Sequence, residues 1–256
     1  MKEVTDSTRV DGQVAIVTGA AQGIGRGIAN VLSKAGANIV IGDIQPSDST
    51  VNEINSNGGS AAGMVMDTSK PEESKALVKL ALEKFGQLDI LVNNAAIDAP
   101  SGNAWDLSDE EWQRTIEVNL GGVFYCSRAS LQPMLKSGKG CIVSISSQSA
   151  LMGAEGCSPA YNASKAGVLG LTMALSAQVA HRGVRVNAIM PSLVESRDFG
   201  WSEEDIAARL TEYPLGFGTP TDIGEAVRYL VSPASRWASG TALRINGGFQ
   251  RSTTWY

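Results

Sequence analysis

"VAIVTGAAQGIGRG", residues 14–27, decides the fold. A short apolar, β-branched run from Val14 to Thr18 passes directly into a turn holding Gly19, Gly23 and Gly25, and a helical pattern begins at once behind it. Glycine lets a backbone turn tightly and approach a ligand, and the start of the following helix offers free N–H groups and a positive dipole end. Strand, glycine turn and helix in this order can cradle a phosphate, although such turns also serve plain strand-to-helix packing. The next strand separates these readings. It ends at Asp43, close to the spacing of about 20 residues at which an acid accepts hydrogen bonds from a ribose hydroxyl. Gly19, Gly23, Gly25 and Asp43 together read as a dinucleotide site.

Outward from this stretch the alternation continues. Strand-like runs fall at 14–18, 38–43, 63–67, 88–94, 141–146, 184–190 and 242–246. Helical patterns fall at about 24–35, 47–57, 71–85, 109–136, 159–181 and 220–232, with a shorter one around 202–211. Strands and helices alternating end to end predict βαβ units with right-handed crossovers. The expected fold is α/β and doubly wound (Rossmann-type): a parallel, seven-stranded sheet with helices on both faces. No repeat or linker divides the chain, so a single domain is expected over 1–256. The segment 192–219 departs from the pattern, with Phe199, Trp201, Tyr213, Pro214 and Phe217 set among charges. Irregular segments of this length are commonly lids or binding loops, and a substrate lid is expected at about 192–219.

Composition excludes several functions. A net charge of −5 and a pI near 5.0 leave no basic surface for a phosphate backbone, so no nucleic-acid partner is expected. The least polar stretch, 166–180, is too short to cross a bilayer and carries Thr172, Ser176 and Gln178. The opening "MKEVTDSTRVDGQ" lacks the apolar core of a secretory signal. Cys126, Cys141 and Cys157 have no metal-ligand spacing and read as reduced thiols. A cytoplasmic protein without membrane attachment is expected. His181 is the only histidine, and it precedes Arg182 and Gly183 as at a helix end. A histidine-rich metal site is excluded, no metal is expected, and no G-x-S-x-G elbow supports a serine hydrolase.

A second stretch, "PAYNASKAG" (159–167), puts Tyr161 and Lys165 on one helix face among small residues. Such a pair also arises by chance, so its neighbours decide. A phenol has the reach to take a proton from an alcohol, but its ordinary pKa lies about three units too high for neutral pH. An ammonium ~4–5 Å away, at an effective dielectric of ~20, favours the phenolate by roughly 3–4 kcal/mol. That is enough to make a usable base.

The motifs jointly resemble the short-chain dehydrogenase/reductase family over nearly the whole chain. The family's T-G-x-x-x-G-x-G stands as Thr18 through Gly25, its N-N-A-G as Asn93, Asn94, Ala95 and Ala96, and its Y-x-x-x-K as Tyr161 and Lys165. The resemblance implies a catalytic set of Asn119, Ser147, Tyr161 and Lys165. Tyr161 would be the general acid/base, Ser147 the partner of the substrate oxygen, and Asn119 the holder of a relay water near the lysine. Lys165 would also bond the nicotinamide ribose. Cofactor contacts are implied at Gly19, Gln22, Gly23, Ile24, Gly25, Asp43, Ile44, Asp67, Thr68, Asn93, Ala95, Tyr161, Lys165, Pro191, Val194 and Ser196. Three departures stand out. The gap from Ser147 to Tyr161 is slightly long, which keeps Ser149 open as the substrate-contacting hydroxyl. Pro191-Ser192 replaces P-G, with Ser196 for the threonine beyond it, and "INGG" replaces V-D-G-G.

The function these residues imply is hydride transfer between NAD(H) and a secondary alcohol or ketone, a small-molecule substrate. Asp43, followed by Ile44 and Gln45 with no arginine, implies NAD rather than NADP. Two alternatives remain open: a 3-oxoacyl-thioester reductase, and a catalytically silent dinucleotide sensor. Leu193, Phe199, Trp201 and Phe217 suit an apolar ligand, whereas Gln148, Glu155 and Arg197 suit a polyol or carboxylate. The resemblance also implies a homo-oligomer, a dimer or tetramer, paired through the helices at about 109–136 and 159–181.

Overall fold

The computed structural model describes residues 7–98, 103–152 and 158–249. Seven strands form one sheet in the order β3-β2-β1-β4-β5-β6-β7, and every neighbouring pair is parallel. They are β1 (Val14–Thr18), β2 (Asn38–Asp43), β3 (Ala61–Val65), β4 (Ile90–Asn93), β5 (Gly140–Ile145), β6 (Val184–Pro191) and β7 (Ala242–Ile245). The helices are α1 (Gly23–Lys34), α2 (Asp48–Ser56), α3 (Pro71–Phe85), α4 (Asp109–Ile116), α5 (Gly122–Ser137), α6 (Pro159–Val179), α7 (Glu203–Leu210) and α8 (Pro220–Val231). This is the doubly wound fold expected, and no helix among the described residues is long and apolar enough to cross a membrane.

Successive strand residues point to opposite faces, so β1 is apolar throughout and feeds two cores. Ala15 and Val17 join Ile28, Leu32, Val227 and Leu230 beneath α1 and α8. Val14 and Ile16 join Leu77, Val78, Met134 and Leu175 beneath α3, α5 and α6. The helix ends follow local chemistry. Ser108, Ser202 and Thr219 each form a capping box at the start of α4, α7 and α8. α6 closes through a short turn over Ala180–Arg182 into Gly183 at φ +80, so His181 sits at a helix end as expected.

Two expectations need correction. The third strand is Ala61–Val65, two residues earlier than 63–67. Ala61 and Ala62 pair with Ile39 and Val40 of β2, so the edge strand begins in two small residues that carry no β-branched signal. The helix expected at 109–136 is interrupted by a π-helical turn, Glu117–Gly121, between α4 and α5. One extra residue per turn there rotates Asn119 fully into the interior.

Candidate active site

The strand order reverses between β1 and β4, which leaves a crevice at their carboxyl ends where ligands of such sheets bind. A cleft of about 300 Å³ occupies it, lined among others by Gly19, Gln22, Asp43, Ile44, Asp67, Thr68, Ala95 and Ile97. Gly19 adopts φ +68, and an added Cβ would lie 2.7 Å from the Ala95 Cα. At Gly25 it would lie 2.1 Å from the Gly19 carbonyl oxygen, so glycine is required at both positions. Gln22, at the N-cap of α1, makes no capping hydrogen bond with its side chain, and the first turn carries no acid. Uncapped helix N–H groups beside a compressed glycine turn are the donor set a diphosphate needs, and the residues present therefore fit a dinucleotide.

Asp43 is nearly buried, and its carboxylate accepts the N–H groups of Ala21 at 2.8 Å and Gln45 at 2.9 Å. It therefore fastens the glycine turn to the end of β2. A carboxylate has about four acceptor positions, so capacity remains on the cleft side. Ile44 beside it is mostly exposed. Asp67 accepts from the Ser69 N–H and hydroxyl and from Arg114 at 3.0 Å. Partial burial opposes its ionisation, but Ser69 and the Arg114 guanidinium outweigh this and hold the carboxyl below its ordinary pKa. Thr68, also lining the cleft, packs where a Cβ at Gly122 would meet its hydroxyl at 2.7 Å.

Of the paired asparagines, Asn94 and not Asn93 lines the cleft. Asn93 turns its side chain inward, donating to Ser127 at 3.0 Å and Ser144 at 3.2 Å, and its carbonyl oxygen is buried without a partner among the described residues. Asn94 donates to the carbonyls of Thr18 and Gly19, while the Thr18 hydroxyl accepts the N–H groups of Asn94 and Ala95. These four bonds lock β4 to the glycine turn.

The reacting end is built on α6 and the end of β5. Lys165 is 3% exposed and donates from Nζ to the Ile145 carbonyl at 2.9 Å. The Ser146 hydroxyl donates to the Lys165 carbonyl at 2.7 Å, so the helix is fastened to the strand just before Ser147. Nζ lies 5.6 Å from the centroid of the Tyr161 ring. Burial pulls the Lys165 pKa down to about 8, against an opposing influence of Asp98. Ser147 starts a short turn over Gln148–Ala150, and its hydroxyl accepts the Ser149 N–H at 3.1 Å. Its own proton stays available for donation.

Asn119 is fully buried. Its Oδ1 accepts the Ile97 N–H at 2.8 Å, and its Nδ2 donates to the Ile97 carbonyl at 3.0 Å and the Ser164 hydroxyl at 3.3 Å. Ser164 in turn donates to the Tyr161 carbonyl. The amide thus ties the cleft floor, the π turn and the catalytic helix together, and both its ends are engaged by protein groups.

After Pro191 the chain leaves the sheet. Ser192 shares a 2.8 Å hydrogen bond with the Tyr213 hydroxyl, and Val194 pairs with Gly218. Ser196 returns to the glycine turn, where its carbonyl lies 3.6 Å from a Cβ built at Gly23. Phe199 stacks on Trp201, and Phe217 meets both Trp201 and Tyr213 edge-on. Gln148 is nearly buried and accepts from Asn246 at 3.4 Å, so the "INGG" segment reaches the catalytic turn. Glu155 lies outside the described residues. No motif or spacing marks Arg114, which joins the cleft only through a fold that carries α4 past the end of β3.

Four similarities accompany this geometry. A family described as enoyl-(acyl carrier protein) reductase matches residues 19–250. The 3-oxoacyl-(acyl-carrier-protein) reductase of Vibrio cholerae is 36% identical over 93% of this chain and 98% of its own length. A cyclohexanol dehydrogenase of Acinetobacter sp. strain SE19 is 34% identical over 95% of this chain and 97% of its own. The crystal structure of gox2181 superposes with a TM-score of 0.90 at 34% identity, covering 95% of this chain and 97% of that one.

Proposed function

We propose a reaction from one premise: this chain belongs to the short-chain dehydrogenase/reductase family, oxidoreductases that act on CH–OH groups with a nicotinamide dinucleotide. The reaction is oxidation of a secondary alcohol, or reduction of the matching ketone, with NAD(H). Lys165 carries this reading. A buried ammonium is costly to hold, and this one stands beside a tyrosine ring with a backbone carbonyl as its hydrogen-bond acceptor. An ammonium ~5 Å from a phenolate oxygen, at an effective dielectric of ~20, favours the phenolate by roughly 3 kcal/mol.

Bound in the cleft, the nicotinamide dinucleotide supplies the hydride acceptor or donor. Tyr161 takes the alcohol proton during oxidation and returns it during reduction. Ser147 donates its hydroxyl proton to the substrate oxygen, where charge develops. Asn119 keeps the cleft floor and α6 in register, and a relay water near Lys165 would rest on this frame. Gly19, Gly23 and Gly25 bring the α1 N–H groups to the diphosphate. Gln22 and Ala95 line the cleft, the family resemblance assigns Ile24, Pro191, Val194 and Ser196 to the cofactor, and the 192–219 segment acts as the lid. The same reading places the enzyme in the cytoplasm. Burial raises the thiols of Cys126 and Cys141 to about 11, so both stay protonated and unreactive, while Cys157 lies outside the described residues.

Asp43 makes NAD the preferred dinucleotide. NADP places about 1.5 to 2 further negative charges on the adenosine ribose. At ~5 Å and a dielectric of ~20 each unit-charge pair with Asp43 costs roughly 3 kcal/mol. Arg114, a cation that lines the cleft, is already paired with Asp67. The expected preference in kcat/KM is about 10²-fold after solvent and rearrangement. Asp43→Ser should narrow it, chiefly by improving NADP. The test is nicotinamide reduction or oxidation with both cofactors against a panel of polyols, cyclic alcohols, hydroxy acids and ketones. Equal kcat/KM for the two cofactors would overturn the assignment. The similarity to the Vibrio cholerae enzyme favours a second reading, reduction of a 3-oxoacyl thioester, and acetoacetyl-coenzyme A belongs in the panel to decide it. Absence of turnover with every substrate would leave a silent dinucleotide sensor.

A further inference from the structure

The open cleft stops short of the reacting groups. Among the described residues its lining includes Ile97 and Val118 but not Ser147, Tyr161, Lys165 or any residue beyond β6. Strands β5 and β4 separate β6 from β1, yet the chain leaving β6 crosses over them and brings Ser196 against the glycine turn at Gly23. The next residue, Arg197, pairs with Asp98 at 2.5 Å. Asp98 directly follows Ile97, whose N–H and carbonyl are both held by Asn119. One end of this ion pair therefore belongs to the cleft floor and the other to the arch above it. The arch is internally braced. Arg197 lies over the Phe199 ring at 5.3 Å, Phe199 stacks on Trp201 at 4.5 Å, and Arg209 of α7 lies over Trp201 at 4.2 Å.

We propose that the Asp98–Arg197 pair is a strap across the nicotinamide end of the site, which must open whenever the dinucleotide enters or leaves. This rests on the reading that a nicotinamide dinucleotide occupies the cleft. The open part, bounded by Asp43, Asp67 and Ile97, accommodates the adenosine end. The remainder must pass beneath the arch to reach Tyr161 and Lys165. Asn119, which holds Ile97 beside Asp98, also bonds Ser164, the residue before Lys165, so the strap is anchored next to the reacting end. Both partners are more than half exposed, at 61% and 63%, so the pair is weak enough to open thermally and is not needed for the core.

Stopped-flow NADH binding tests the strap on the native chain, Asp98→Asn and Arg197→Gln. A gate is crossed in both directions, so loss of the pair should raise the association and dissociation rates together, by about three- to fivefold for an exposed pair, and leave Kd unchanged. Arg197→Lys keeps the pair and should exchange NADH at near-native rates. Faster dissociation alone with a weaker Kd would mean direct contact with the cofactor, and unchanged rates would mean a surface pair without a role. Either result overturns the strap. A native chain that fails to bind NADH would overturn the dinucleotide reading itself, and the strap with it.

Discussion

Lys165 concentrates the conflict between stability and activity in one side chain. Its pKa of about 8, against an ordinary 10.5, means that the folded state resists the charge the chemistry uses. In the linkage sense, the unfolded chain binds the proton more tightly between these values, so this group's contribution to stability rises as pH climbs from about 8 toward 10.5. At neutral pH the buried charge costs on the order of 3 kcal/mol. Lys165→Met removes that cost and leaves the Ile145 carbonyl without its donor, a loss of about 1–3 kcal/mol. The variant should therefore keep or raise the Tm while kcat collapses and NADH binding weakens, as calorimetry and steady-state kinetics would show. A clear fall in Tm would mean that the ammonium is a structural group. Sequence spacing brought Tyr161 and Lys165 to one helix face, but it gave no way to see that the lysine is buried, because that burial comes from how α6 packs on the rest of the fold.

At the scale of elements, the π turn between α4 and α5 connects the cleft floor to the catalytic helix. Asn119→Leu would leave both backbone groups of Ile97 and the Ser164 hydroxyl without this partner. Urea denaturation should report a loss of about 2–4 kcal/mol. Activity should fall at temperatures where the variant is still folded, because Ile97 lines the cleft. Unchanged urea midpoint and activity would show that the turn is incidental. The sequence made Asn119 visible through its motif but placed it on an unbroken helix. A π turn leaves no mark in apolar periodicity when flanking helices continue on both sides. The same limit explains Asn93 and Asn94: adjacent residues at a strand end face opposite ways, and only the fold decides which faces the ligand. The β1 segment was legible because its glycines, strand and following acid each have a local physical reason. The early start of β3 was not, because Ala61 and Ala62 lack the β-branched or aromatic character that marks a strand.

At the scale of the molecule, several large side chains stay exposed on one group of helices. Trp112 of α4, Phe124 of α5 and Met173 of α6 are 42%, 38% and 59% exposed. We expect a second copy of the chain to cover this face across a two-fold axis, giving a dimer or tetramer. Light scattering that reports a monomer at micromolar concentration would contradict this assembly. Dimer formation would brace α6 and so the catalytic pair, which links assembly to chemistry. In the proposed reaction the whole sheet serves to place one phenol, steadied by one buried ammonium, at a nicotinamide ring. The most direct test is single-turnover hydride transfer from NADH to a ketone substrate by Tyr161→Phe, with NADH binding measured on the same sample. The account predicts intact NADH binding and a hydride-transfer rate lowered by at least ~10²-fold. Near-native transfer by the phenylalanine variant would contradict it.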